Sequence, residues 1–104
     1  MGLFNLFRKK NMGEKIQEYL GNQAVILDVR TLEEWNDGHS QGAKHIVLTT
    51  IPTSVEQIKA WGKPVIAVCK SGGRSGQATD FLVAQGIDVI NGGPWQNVDQ
   101  YLTK

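Results

Sequence analysis

The chain has 104 residues, of which 40% are hydrophobic and 20% charged, and this length fits a single compact domain with its own hydrophobic core. Its net charge of +1 argues against a nucleic-acid-binding protein, which usually has a basic face. A single cysteine excludes an internal disulfide and, with only two histidines, makes a zinc site a poor hypothesis, so we expect a reducing compartment, the cytoplasm, and no cofactor.

The first ten residues are apolar and then basic, ending in Arg8, Lys9 and Lys10. This order is the reverse of a secretory signal, and no apolar run reaches the ~20 residues that span a bilayer. A short amphipathic membrane anchor is the alternative to packing on the domain or disorder, and we do not expect membrane association. The predicted organisation is an extension over residues 1–12 and one domain over 13–104.

Along the chain, segments with apolar residues at helical spacing alternate with short apolar runs. Ile16, Tyr19 and Leu20 predict a first helix, and Gly21 is expected to cap its C-terminus. A capping box formed by Thr31 and Glu34 predicts a short helix to about residue 38. Pro52 and Ser54 indicate the start of the next helix. The later helical faces comprise Ile58 and Trp61, then Ala78, Phe81 and Leu82, then Trp95, Val98 and Leu102.

The predicted strands are 24–28, 44–48, 65–69 and 87–90, and Gly92-Gly93 is expected to form a turn. Apolar strands separated by helices are typical of a parallel sheet that is covered on both faces. The expected fold class is therefore α/β, with a small parallel sheet of four or five strands and helices on both sides.

The most informative segment follows the strand at 65–69. Cys69 lies at the carboxyl end of that strand, which is where open parallel sheets bind ligands. Gly72 and Gly73 allow a tight turn that directs backbone N–H groups at one point, and a following helix adds positive potential. Together with Lys70 and Arg74, this environment favours a thiolate and lowers a cysteine pKa from about 8.5 into the range of about 3.5–7.5.

These residues also carry a resemblance. The run Cys69-Lys-Ser-Gly-Gly-Arg-Ser75 resembles the C-x-S-G-x-R-S loop of single-domain rhodanese-like sulfurtransferases. The family's other segments are matched in order by Asp28-Val-Arg30, Glu33-Glu34-Trp35, Gly38-His39, Gly42-Ala43 and Gly92-Gly93 with Trp95. Ser40, where the family usually has an apolar residue, and the later position of Pro52 depart from the pattern, and both are expected to affect only a surface connection.

The resemblance implies the rhodanese fold and transfer of sulfane sulfur from thiosulfate or a persulfide through a persulfide on Cys69. Lys70, Ser71, Gly72, Gly73, Arg74 and Ser75 would bind the substrate, mainly through backbone N–H groups. Since the chain has no second cysteine, the acceptor is expected to be another molecule, either a small thiol or a partner protein.

The side chains around the loop are assigned as follows. Arg74 is expected to pair with Asp28 and fix the loop, with direct binding of the donor as the alternative, and Lys70 is the candidate for attracting thiosulfate. Ser71 and Ser75 either donate to the sulfur or cap the helix, and capping is favoured for Ser75. Arg30 either faces the pocket or pairs with Glu33 or Glu34. His39 and the three tryptophans are expected to be structural, and His45 has no case for catalysis.

Two other function classes compete with sulfur transfer. A cysteine-based phosphatase or arsenate reductase also uses a Cys-to-Arg loop, but such phosphatase loops have five intervening residues and this chain has four. A binding module without turnover is disfavoured because Cys69 and both glycines are present. The alternative that the protein is a sulfur carrier for one protein partner stays open.

Overall fold

The computed structural model describes residues 9–102, which form an α/β domain. In chain order the elements are α1 (Met12–Gly21), β1 (Val25–Asp28), α2 (Leu32–Asn36), β2 (Lys44–His45), a 3-10 helix (Leu48–Thr53), α3 (Val55–Ala60), β3 (Val65–Cys69), α4 (Gly73–Ala84), β4 (Val89–Pro94) and α5 (Trp95–Asp99). None of these helices is long and apolar enough to cross a membrane. The apolar residues 3–7, for which an amphipathic membrane anchor was the alternative interpretation, lie outside the described residues.

The four strands form one parallel sheet in the order β2-β1-β3-β4. The central strand β3 is buried along its whole length, and its last residue is Cys69. Val68 lies opposite Asp28 of β1, so the carboxyl ends of the two central strands meet at one edge. The predicted parallel α/β sheet is confirmed, and the sheet places the cysteine at the edge where ligands bind in such folds.

Two hydrophobic layers cover the sheet because successive side chains of a strand point to opposite faces. Alternate residues of β3, namely Val65, Ala67 and Cys69, pack with α3, α4 and the 3-10 helix. The residues between them, Ile66 and Val68, pack with α1 and α5. Helices therefore lie on both faces, as the continuous apolar runs predicted.

Several expected boundaries are wrong. The strand expected at 44–48 is only Lys44–His45, and the chain turns into the 3-10 helix at Leu48. Gly21 is the last residue of α1 rather than its cap, which is Asn22. Gly92 and Gly93 do not form a separate turn but lie within β4.

Gly92 marks an irregularity in β4. Asn91 lies opposite Ala67 and Gly93 lies opposite Val68, so Gly92 is one extra residue, as in a β-bulge. A Cβ at this position would lie 2.7 Å from Cγ2 of Ile66, which explains why glycine is needed. The bulge brings the end of β4 close to the loop that follows Cys69.

Ser40 departs from the expectation of a surface position. It is buried, with an exposed fraction of 1%, and its hydroxyl has no hydrogen-bond partner among the described residues. The residue that replaces an apolar side chain of the family pattern therefore lies inside the domain. Pro52, by contrast, is exposed in the 3-10 helix.

Ser40→Ala should raise the free energy of unfolding by about 1 kcal/mol, because it removes a buried hydroxyl without a partner. Ser54→Ala is the matched control, since the Ser54 hydroxyl donates to the carbonyl of Thr50 at 2.8 Å. That control should lower the same quantity by about 1 kcal/mol. Urea unfolding measures both, and a destabilised Ser40→Ala variant would contradict the assignment.

Candidate active site

Cys69 lies under the backbone of the loop that follows it. Its side chain is fully buried at the end of β3. The N–H of Gly72 donates to its Sγ at 3.0 Å, and the N–H of Ser75 approaches the same atom at 3.4 Å. The Ser75 Oγ is 3.2 Å from Sγ. One sulfur atom is thus surrounded by hydrogen-bonding groups of Gly72 and Ser75.

The chain reverses at Gly72 to make this arrangement. Gly72 has a φ of 104°, in the left-handed region, and is the N-cap of α4. Because glycine has no side chain, no side-chain oxygen caps this helix, and its first-turn N–H groups stay available. The N–H of Ser75, in that first turn, is directed at the sulfur, where the helix dipole also favours negative charge.

The environment of Cys69 has two opposing effects on its pKa. Burial by itself raises the pKa of the thiol, because it disfavours the charged form. Hydrogen bonds from the Ser75 side chain and from the backbone of Ser75, Gly72 and Ser71 outweigh burial and lower the pKa below its ordinary value. The thiolate is therefore stabilised mainly by dipoles that point at it.

Ser75 does not cap α4, which corrects the favoured expectation. It is fully buried in the first turn, one residue after Arg74. Its hydroxyl contacts Cys69 and donates to Oδ1 of Asn91 at 2.6 Å. The alternative role, a contact with the sulfur, is what the structure has.

Arg74 pairs with Glu34 and not with Asp28, so that expectation was wrong. Its two terminal nitrogens donate to the two carboxylate oxygens of Glu34 at 2.7 and 2.9 Å. The hydrogen bonds from Arg74, together with those from Thr31, lower the pKa of Glu34 to about 2, and the Glu34 carboxylate raises the pKa of Arg74. Glu34 also accepts from the N–H of Thr31, so the confirmed capping box of α2 supplies the anchor for the loop.

Asp28 has a different partner, Arg30. Their side chains are both buried and are joined by bonds of 2.8 to 3.1 Å, and Arg30 also donates to the carbonyl of Gly38 at 2.7 Å. The Arg30 guanidinium lies 5.3 Å from the ring centroid of Trp95. The alternative in which Arg30 pairs with Glu33 or Glu34 is therefore wrong. The pair of Asp28 and Arg30 connects the end of β1 to α5 and to the loop after α2.

Both histidines make structural contacts with Trp35. His39 stacks on Trp35 at 3.5 Å and its Nδ1 bonds to the Trp35 carbonyl at 2.7 Å. His45 stacks on the same indole at 4.8 Å and bonds to the carbonyl of Arg30. Trp61 and Trp95 pack against the two hydrophobic layers.

Asn91 is a site residue that the sequence reasoning missed. Its side chain contacts Ser75, the Gly72 carbonyl and the Gly93 N–H. Val89, two residues earlier, packs in the layer with α4, and the alternation of a strand places Asn91 on that same side. The available signal was a polar residue close to the end of the strand that pairs with β3. Because a turn was expected at Gly92-Gly93, the predicted strand ended before Asn91.

The remaining loop residues are open to solvent. Lys70, Ser71 and Gly73 are exposed, and within residues 9–102 no hydrogen bond or ion pair engages the Lys70 side chain. In the same part of the chain, no group of three or more histidine, cysteine or acidic side chains is placed to bind a metal.

Comparison with known proteins decides the family. Residues 12–94 match the model of the rhodanese-like domain. The chain belongs to this family. A rhodanese-like neighbour of known structure from E. coli, described as a rhodanese with anions, is 29% identical with a TM-score of 0.64, covering 71% of this chain and 89% of that one.

Other solved structures support the fold. A protein of Staphylococcus saprophyticus is 27% identical with a TM-score of 0.71, and the match covers 93% of this rhodanese-like chain and 100% of that chain. A human single-domain sulfurtransferase, at 22% identity and a TM-score of 0.66, covers 86% of this chain and 94% of its own. The resemblance inferred from the sequence motifs is confirmed.

The ion pair between Glu34 and Arg74 should make the free energy of unfolding depend on pH in the acidic range. The folded-state pKa of Glu34, about 2, lies below the ordinary value of 4.5. Stabilisation by the pair is therefore complete above about pH 4.5 and is lost as the pH falls toward about 2. Glu34→Gln keeps a carbonyl oxygen for the capping box but should lose about 1 kcal/mol at neutral pH and show a flatter profile in this window.

Urea unfolding between pH 7 and pH 2.5 measures this difference. Arg74→Ala should reduce the same acid dependence without abolishing it, because it removes the other partner but leaves the bonds from Thr31 to Glu34. Glu33→Gln is the matched control, since Glu33 is exposed on the same helix. A Glu34→Gln profile parallel to the unaltered protein would refute the ion-pair assignment.

Proposed function

We propose that this rhodanese-like domain transfers sulfane sulfur through a persulfide on Cys69. The observation that carries the proposal is the convergence of the Gly72 N–H and the Ser75 N–H on the Cys69 sulfur. These two donors favour an anionic sulfur without a general base, and a thiolate is the reactive form of cysteine.

In the first step, the Cys69 thiolate attacks the outer sulfur of thiosulfate. A new S–S bond forms, the S–S bond of thiosulfate breaks, and sulfite leaves with the electron pair. A persulfide donor reacts in the same way and leaves as a thiolate. In the second step, cyanide or a thiolate attacks the outer sulfur of the persulfide, and Cys69 returns to the thiolate.

Arg74 has a supporting role in this scheme. Both of its terminal nitrogens are bound to Glu34, which leaves it poorly placed to bind an oxyanion in a bidentate manner. This arrangement disfavours the phosphatase alternative, in which the arginine of the loop would bind phosphate. Lys70, exposed on the loop, is the cation that we propose attracts an anionic donor.

A sulfur carrier is the second candidate, and the burial of Cys69 favours it. The sulfur has no surface open to solvent, so a donor reaches it only when the loop at 70–73 moves. A protein partner that opens the loop would load and unload the sulfur faster than free thiosulfate. Persulfide formation without steady thiocyanate production from thiosulfate and cyanide would assign the carrier role.

Mass spectrometry of the intact protein tests the proposal. After incubation with thiosulfate, the chain should gain the mass of one sulfur atom, and later addition of cyanide should remove it. Cys69→Ser should gain nothing, whereas Ser71→Ala, which keeps the cysteine and the backbone donors, should still be loaded. Absence of any gain with both thiosulfate and a small-molecule persulfide would refute sulfur transfer by this domain.

A further inference from the structure

The side-chain amide of Asn91 has a fixed orientation. A backbone N–H can only donate, so the atom that faces the Gly93 N–H at 2.9 Å is the amide oxygen. A backbone carbonyl can only accept, so the atom that faces the Gly72 carbonyl at 3.1 Å is the amide nitrogen. The two contacts agree, and the usual ambiguity between oxygen and nitrogen of an asparagine does not arise.

This orientation determines where the Ser75 hydroxyl proton lies. The Ser75 Oγ is 2.6 Å from the Asn91 oxygen, which has no proton, so the hydroxyl must donate its one proton to Asn91. Toward Cys69, 3.2 Å away, Ser75 then presents only a lone pair. That lone pair can accept from a thiol S–H but cannot stabilise a thiolate.

Ionisation of Cys69 requires a change in this arrangement. When the thiol proton leaves to solvent, the hydroxyl of Ser75 rotates and donates to the negative sulfur. Asn91 then loses its bond from Ser75 and keeps the one from Gly93. Formation of a persulfide moves the negative charge to the outer sulfur, and the hydroxyl can return to Asn91.

We propose that Asn91 is a positioning residue that competes with the Cys69 sulfur for the hydroxyl proton of Ser75. It favours the states in which the inner sulfur is uncharged, the thiol and the persulfide, over the thiolate. Independently, its amide nitrogen donates to the carbonyl of Gly72, the residue whose N–H points at the sulfur. The proposal rests on the proposed function, because it takes Cys69 as the atom that receives sulfur.

A double-mutant cycle separates the two effects of Asn91. The four proteins are the unaltered chain, Ser75→Ala, Asn91→Ala and the double variant, and the readout is the pKa of Cys69 from its ultraviolet thiolate absorbance. The contact of Asn91 with Gly72 does not involve the Ser75 hydroxyl and therefore cancels in the cycle. Charged groups on the elements around the loop are the same in all four proteins: Asp28, Arg30, Glu34, Lys70 and Arg74.

Ser75→Ala should raise the pKa of Cys69 in both backgrounds, but by about half a pH unit more when Asn91 is absent. When the Asn91 oxygen is absent, the Ser75 hydroxyl gives up no hydrogen bond on rotating to donate to the thiolate. Equal shifts in the two backgrounds, or a larger shift with Asn91 present, would overturn the proposal.

A second measurement follows the amide groups around Asn91 while Cys69 ionises. In nuclear magnetic resonance, the Gly93 amide and the Asn91 side-chain amide should titrate with the Cys69 pKa in the unaltered protein, and the Gly93 shift should be much reduced in Ser75→Ala. The Asn97 side chain, which donates to the Gly92 carbonyl at 3.3 Å, is the internal control. A Gly93 titration that is unchanged in Ser75→Ala would overturn the proposal.

The two proposals fail in different ways. If the unaltered protein takes no sulfur from any donor, the proposed function is wrong, while the pKa cycle still decides whether Asn91 and Ser75 are coupled. If sulfur is loaded but the pKa shifts are additive, the positioning role of Asn91 alone is wrong.

Discussion

The left-handed backbone of Gly72 is the constraint on which the site depends. It reverses the chain directly after the central strand, so that the N–H of Gly72 and the first-turn N–H of α4 at Ser75 point back at the Cys69 sulfur. A side chain at Gly72 would be strained in this conformation. The position of the sulfur follows from β3, which is buried between two hydrophobic layers and ends at Cys69.

Charges support the site from a distance. Arg74 is bound to Glu34, and Arg30 is bound to Asp28, so two of the cations near the loop are neutralised by carboxylates of the same domain. The Cys69 sulfur is contacted instead by two backbone N–H dipoles, whose orientation is fixed by the fold before any charge develops on the sulfur. The exception is the Ser75 hydroxyl, which donates to Asn91 and lies 3.2 Å from the sulfur. Its proton is the one at the site that we propose changes hydrogen-bond partner when Cys69 ionises.

The sheet and the position of the candidate site could be predicted from the sequence, and the errors in the side-chain contacts have physical causes. The apolar runs predicted the parallel sheet, because strands buried on both faces need apolar residues throughout. The position of Cys69 directly after such a run placed it at the carboxyl end of a strand. The expected partner of Arg74 was wrong and the partner of Arg30 was left open, because long side chains reach several carboxylates and residue spacing does not choose among them. Asp28 and Arg30 do lie two residues apart, which places their side chains on the same side of an extended chain. Asn91 was missed because the bulge at Gly92 depends on packing against Ile66.

The central claim is that the Cys69 sulfur accepts one sulfur atom and releases the rest of the donor. Measurement of sulfite after mixing the protein with thiosulfate, without any acceptor, tests this most directly. The account predicts a release that stops at one sulfite for each chain, and none from Cys69→Ser. Release that continues without an acceptor, that is equal in Cys69→Ser, or that is absent from the unaltered protein would contradict it.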